Sequence, residues 1–137
     1  MSFSLIYTEY RPPIDIAPWI ACFWQIVGEA ASGDSLLHRV LPDGCSDLVF
    51  DIEDARRGGD TPTHIVGPMS CAKVFELRNA IEIIGVRLRP GAIGAFSGIP
   101  AGCLLDSACS WWICRSRCGF RVRRSPSAPT SNRDSNC

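Results

Sequence analysis

Apolar and polar residues along this chain fall into short runs of the kind that build strands. Ile20–Val27, Ile-Ala-Cys-Phe-Trp-Gln-Ile-Val, is apolar and rich in aromatic and β-branched residues, which suits a strand better than a helix. In Cys45–Ile52 the alternation is cleaner. It sets Leu48, Phe50 and Ile52 on one face and Asp47, Val49 and Asp51 on the other. Between that strand and His38–Leu41 stands Pro42-Asp43-Gly44, whose residues favour a turn, so the pattern predicts a hairpin there. Three further strands are predicted at His64–Gly67, Ala72–Leu77 and Ile81–Arg89, with Asn79 and Ala80 making a tight connection between the last two. The opening segment reads as extended through Tyr10. Pro12-Pro13 breaks it, and a short helical or turn-like piece follows at Asp15–Trp19, where Asp15 is placed to cap. Residues 53–63 are charged and glycine-rich without periodicity and read as a loop. Pro90-Gly91 stops the last strand, and Ala92–Phe96 starts a short helix. The fold class expected is mainly β (α+β): an antiparallel sandwich or barrel with one or two short helices.

Length and composition narrow this picture. A chain of 137 residues with 46% hydrophobic content buries one core. No basic start, apolar stretch and cleavage site form a secretory signal, and no apolar run approaches the roughly 20 residues of a membrane span. A cytoplasmic protein is therefore expected, and its eight cysteines are expected to stay as thiols. The zero formal net charge hides an asymmetry. Residues 1–106 hold 8 Arg or Lys against 13 Asp or Glu, whereas 107–137 hold 6 Arg against Asp134 alone. From Arg115 to Cys137 neither helical nor strand period survives, and that stretch is expected to be disordered.

Four segments taken in order resemble a known family. They are Pro13-Ile14-Asp15-Ile16 leading to Trp19–Trp24, Arg39–Phe50, Val66-Gly67-Pro68-Met69, and Gly85–Ala92. Together they resemble the N-terminal domain of AraC-family transcriptional regulators over about residues 7–105. The resemblance implies a cupin-like jelly roll that senses an effector or dimerises, followed in relatives by a helix-turn-helix domain that binds promoter DNA. That second domain is missing, so the expected organisation is a regulatory domain at 1–105 and an atypical Arg-, Cys- and Ser-rich tail at 106–137, from a truncated or frameshifted gene. The alternative is a stand-alone small-molecule-binding cupin-like protein.

The candidate chemistry points to binding rather than catalysis. Arg39, Asp47, Asp51, Arg87 and Arg89 are the charges most embedded in strand patterns; Arg87 and Arg89 share a face by the period of two, as do Asp47 and Asp51. Of these, Arg39, Asp47, Arg87 and Arg89 are the candidate ligand-binding residues, against the ordinary reading of cross-strand salt bridges on a solvated face. Trp19, Phe23 and Trp24 read as core rather than as a ligand platform. Only His38 and His64 exist as histidines, too few for a cupin metal centre, so neither metal nor cofactor is expected. Cys103, Cys109, Cys114 and Cys118 lack the paired spacing of a structural zinc site. No nucleophile motif or phosphate loop is present, and no enzyme activity is expected. The expected partners are a small-molecule effector and a second copy of the chain, with no membrane association. The tail arginines offer phosphate contacts but no rigid element to read bases, so sequence-specific nucleic-acid binding is not expected.

Overall fold

Strands form where the β-branched and aromatic residues cluster, and the register between them decides everything that follows. The computed structural model describes residues 4–29, 33–59 and 63–110. Strand β1 (Ser4–Tyr10) runs antiparallel to β2 (Ile20–Glu29), from Ser4 opposite Glu29 to Tyr10 opposite Phe23. Pro12-Pro13 ends β1, and a turn held by Ile16 N–H to Pro13 O (3.2 Å) and Ile20 N–H to Ile16 O (3.0 Å) returns the chain. There follow β3 (Ser35–Val40), β4 (Ser46–Asp51), helix α1 (Ile52–Arg56), β5 (Thr63–Val66), β6 (Lys73–Arg78), β7 (Ala80–Leu88), helix α2 (Ala92–Ser97), a 3₁₀ turn (Ala101–Leu104) and β8 (Ala108–Ser110).

Six strands make one sheet in the order β1-β2-β7-β4-β5-β8, and β3 pairs with β6 in a second sheet. All pairings are antiparallel. The fold is thus mainly β with two short helices. Among the described residues, β1 and β8 remain open edges and neither sheet closes into a barrel.

One face of the large sheet carries the core. The register sets Phe23, Val86, Leu48 and Ile65 in a transverse row across four strands, with Ile20 and Leu88 paired beside it. Ile93 of α2, Ile99 and Leu104 close over this row, all three at most 2% exposed. Gly67 is needed for that closure, because a Cβ there would overlap the backbone carbonyl of Leu104. Helix α2 ends at Gly98 (φ 70°), where the buried Ser97 hydroxyl donates to Ile93 O (2.7 Å) and accepts from Ile99 N–H (3.0 Å).

Two sequence expectations change. Pro42-Asp43-Gly44 does turn the chain, with Gly44 at φ 72° and Asp43 Oδ1 accepting from Cys45 N–H (2.9 Å), but it does not close a hairpin. β3 leaves it for the small sheet and β4 for the large one. The local geometry is right, but pairing partners are chosen by distant strands. Residues 53–63 are not wholly loop: Asp51 caps α1 through Asp54 N–H (2.9 Å), Glu53 and Asp54 occupy the first turn and Arg56 the last. Five residues are too few to show a helical period. Ala92–Phe96 does begin a helix, and Asn79 alone (φ 62°) bridges β6 and β7. β8 continues the sheet past residue 105; expectations about the tail from Trp111 onward lie outside the described residues. No helix among the described residues is long and apolar enough to cross a membrane.

Candidate functional site

On the face opposite the core, the same register assembles polar groups. Cys22, Arg87, Asp47 and Val66 form one row; Glu9, Trp24, Gly85, Val49 and His64 form the next. Trp24 and Asp47 lie on strands separated by β7, yet Trp24 Nε1 donates to Asp47 Oδ1 at 2.8 Å. The indole reaches across because its neighbour on β7 is glycine. A Cβ at Gly85 would overlap the Trp24 indole, so the ring lies directly against the bare backbone.

Arg87 Nε donates to the same Oδ1 at 3.2 Å and lies 3.5 Å from Asp43 Oδ2. The Pro42-Asp43-Gly44 crossover thereby supplies a second carboxylate to Arg87. Tyr7, from the edge strand β1, stacks on Trp24 with centroids 6.4 Å apart and planes at 28°, and its hydroxyl donates to Glu9 Oε1 at 2.6 Å. These contacts run continuously from Glu9 through Tyr7, Trp24, Asp47 and Arg87 to Asp43.

Burial sets the electrostatics. Asp47 is only 7% exposed, and that burial pushes its carboxyl pKa up despite the opposing effects of the Trp24 hydrogen bond and the Arg87 charge. Burial works against the Arg87 charge, but Asp47 and Asp43 outweigh it and hold its pKa up. The Tyr7 phenol is pushed up by burial and then by its bond to Glu9. Cys22 and Cys45, half-buried beside the cluster, have thiols pushed up by burial, Cys22 next by Glu9 and Cys45 next by Asp43.

Of the four residues singled out from the sequence, the structure joins Asp47 and Arg87. Arg39 points out of the small sheet opposite Val74, exposed and without an ionic or hydrogen-bonded partner among the described residues. Arg89 lies beyond the end of β7, where its Nε donates to Ala17 O (2.7 Å) and its N–H to Trp19 O (2.8 Å), fastening the turn that precedes β2. Trp24 was expected in the core and is buried, but on the polar face with a carboxylate partner. Trp19 is 46% exposed, and Phe23 packs on the core as expected. His38 faces Phe75 and His64 faces Val49, and no group of three potential metal ligands exists among the described residues. Tyr7 and Glu9 carry no motif, and Asp43 reads in the sequence only as a turn residue. Gly85 was the legible signal, a glycine inside an otherwise β-branched strand.

The sequence from residue 8 to residue 110 matches a family described as a domain of unknown function, DUF6597. The chain belongs to this family. The DUF6597 domain begins inside β1 and ends on the last residue of β8, so it takes in every residue of the cluster except Tyr7, one position before its start. No curated protein and no solved structure matches the chain.

A cleft of about 300 Å³ in the DUF6597 domain lies away from this cluster, between α1, the end of β4 and the β6–β7 bend, lined by Asp51, Glu53, Asp54, Arg57, Glu76 and Arg78 among others. Most of its charges are already engaged. Glu53 pairs with Arg56 (2.9 Å) and Arg57 (3.9 Å), Arg78 with Glu76 (2.7 Å), and Asp51 caps α1. The Trp24–Asp47–Arg87 cluster, with partly open aromatic and guanidinium groups, is the better candidate.

Proposed function

We propose that this DUF6597 domain binds a small molecule on the Tyr7–Trp24–Asp47–Arg87 face and performs no chemistry on it. The observation that supports this reading is a buried carboxylate held by two donors, an indole and a guanidinium, beside a stacked tyrosine that is 47% exposed. A set so fixed in position is suited to reading a ligand's polar groups. Thiols whose pKa values are raised by burial make poor nucleophiles, which favours binding over catalysis. Asp47 and Arg87 are the proposed contact residues; Arg39 and Arg89, also read from the sequence, belong outside this group.

The finer reading is that the two sheets are the halves of a cupin-like jelly roll, serving as the effector-sensing or dimerising N-terminal module of an AraC-type regulator in the cytoplasm. It rests on the ordered motifs at 13–24, 39–50, 66–69 and 85–92. The nucleotide sequence beyond the Leu105 codon separates the two: a helix-turn-helix in a shifted frame supports the regulator, and an unrelated neighbouring gene supports a stand-alone binder.

Binding is tested by thermal denaturation against a library of small polar metabolites. A true ligand at about 100 times its Kd adds roughly 2.7 kcal/mol of stability, a shift of several degrees in a domain of this size. A library that moves the midpoint of neither the protein nor a folded Arg87→Lys variant counts against the proposal.

A further inference from the structure

The balance of charge and hydrogen bonding at this site restricts what it accepts. Three carboxylates, Glu9, Asp43 and Asp47, share one contact chain with a single guanidinium. A further anion would enter against an excess of negative charge. Yet Arg87 calls for an acceptor. Of its five N–H donors, only that on Nε is engaged by Asp47 and Asp43; its Nη groups meet no partner among the described residues, and the side chain is 25% exposed. Donors open to solvent in this way are within reach of an acceptor on a ligand. A cation would be drawn to the carboxylates, but it would meet Arg87 and offer its Nη donors no acceptor. The remaining surface is aromatic: one face of Tyr7 lies on Trp24, while the residue stays about half open.

We infer that the ligand is an uncharged planar molecule that stacks on Tyr7 and offers a carbonyl-type acceptor to the Nη edge of Arg87, and that carboxylates are rejected. This rests on the binding reading above and gives it a chemical class: aromatic or conjugated amides, lactams and related neutral carbonyl compounds.

Benzamide and benzoate are the probes, since they share a ring and differ in charge. The full chain is titrated with each at millimolar concentration near neutral pH, following the Trp24 indole and Arg87 Nε amide signals by NMR, with Trp24→Phe fixing the assignment. Benzamide should shift both signals, and benzoate should bind at least about tenfold more weakly. In a folded Arg87→Lys variant, which keeps the charge and loses the fork, benzamide should weaken about tenfold. Benzoate binding as well as benzamide, no shift with benzamide, or unchanged benzamide binding in the lysine variant each overturns the inference. Anionic library compounds that shift the same two signals would remove the inference and leave the binding site standing. A library that shifts neither would remove both.

Discussion

Gly85 shows how much of this site depends on an atom that is missing. Gly85→Ala puts a methyl group where the Trp24 ring lies, so the indole must lift and release Asp47. Overpacking together with an under-paired buried carboxylate should cost about 2–4 kcal/mol, read from urea denaturation. In a Trp24→Leu background the same substitution should cost much less, and equal costs in both backgrounds would deny the contact. Asp47 makes a second prediction. Because burial raises its folded pKa, its protonated form favours folding; that contribution is present at low pH and is lost as pH rises through the folded pKa. The midpoint of the native protein relative to Asp47→Asn should therefore rise as pH falls from about 7 toward about 4. A relative fall over that range would mean that Arg87 and Trp24 outweigh burial.

At the level of elements, the strands were largely readable because each is a short apolar run with a period of two, and their pairing was not. Alternation alone puts Val49 and Phe50 on opposite faces, but only register with β5 and β7 shows which cross-strand row each joins. The same register brought Asp47 to Arg87 as a cross-strand ion pair, of the kind the sequence pattern allowed without saying which charges would meet. Trp24 could not be placed, since nothing local says that its indole crosses a neighbouring strand. The link from β6 to β7 is a single residue in the left-handed region, Asn79. Asn79→Gly should be nearly neutral, whereas Asn79→Val should cost about 1–2 kcal/mol in equilibrium unfolding, because a β-branched residue is strained there. A second link ties the sheets' connections together. Asp106 (φ 56°) accepts from Ser70 N–H (2.7 Å) and the Ser70 hydroxyl, while Lys73 Nζ donates to its carbonyl (2.6 Å). The Ser70 hydrogen bonds, and after them the Lys73 charge, lower the Asp106 carboxyl pKa, so this tie is fully present above the ordinary carboxylate range and lost as pH falls through the lowered folded value.

For the molecule as a whole, β7 is the keystone of the large sheet. It pairs with β2 on one side and β4 on the other, and it contributes both Gly85 and Arg87. A chain ending at Arg78 should show no cooperative unfolding transition, since β1–β2 and β4–β5 would be left as separate ribbons. A sigmoidal melt from that fragment would show that the sheet has another organiser. The order of the strands also has a consequence during synthesis. β2 is complete at Glu29, and its neighbour β7 begins only at Ala80. At about 5–20 residues per second, a ribosome takes several seconds to supply the intervening chain. Throughout that interval the nascent β2 offers an apolar strand with an unoccupied hydrogen-bonding edge, the form in which chains most readily join one another. Yield of folded protein should therefore depend on expression temperature and on chaperones that shield such edges more than the stability of the finished domain would suggest.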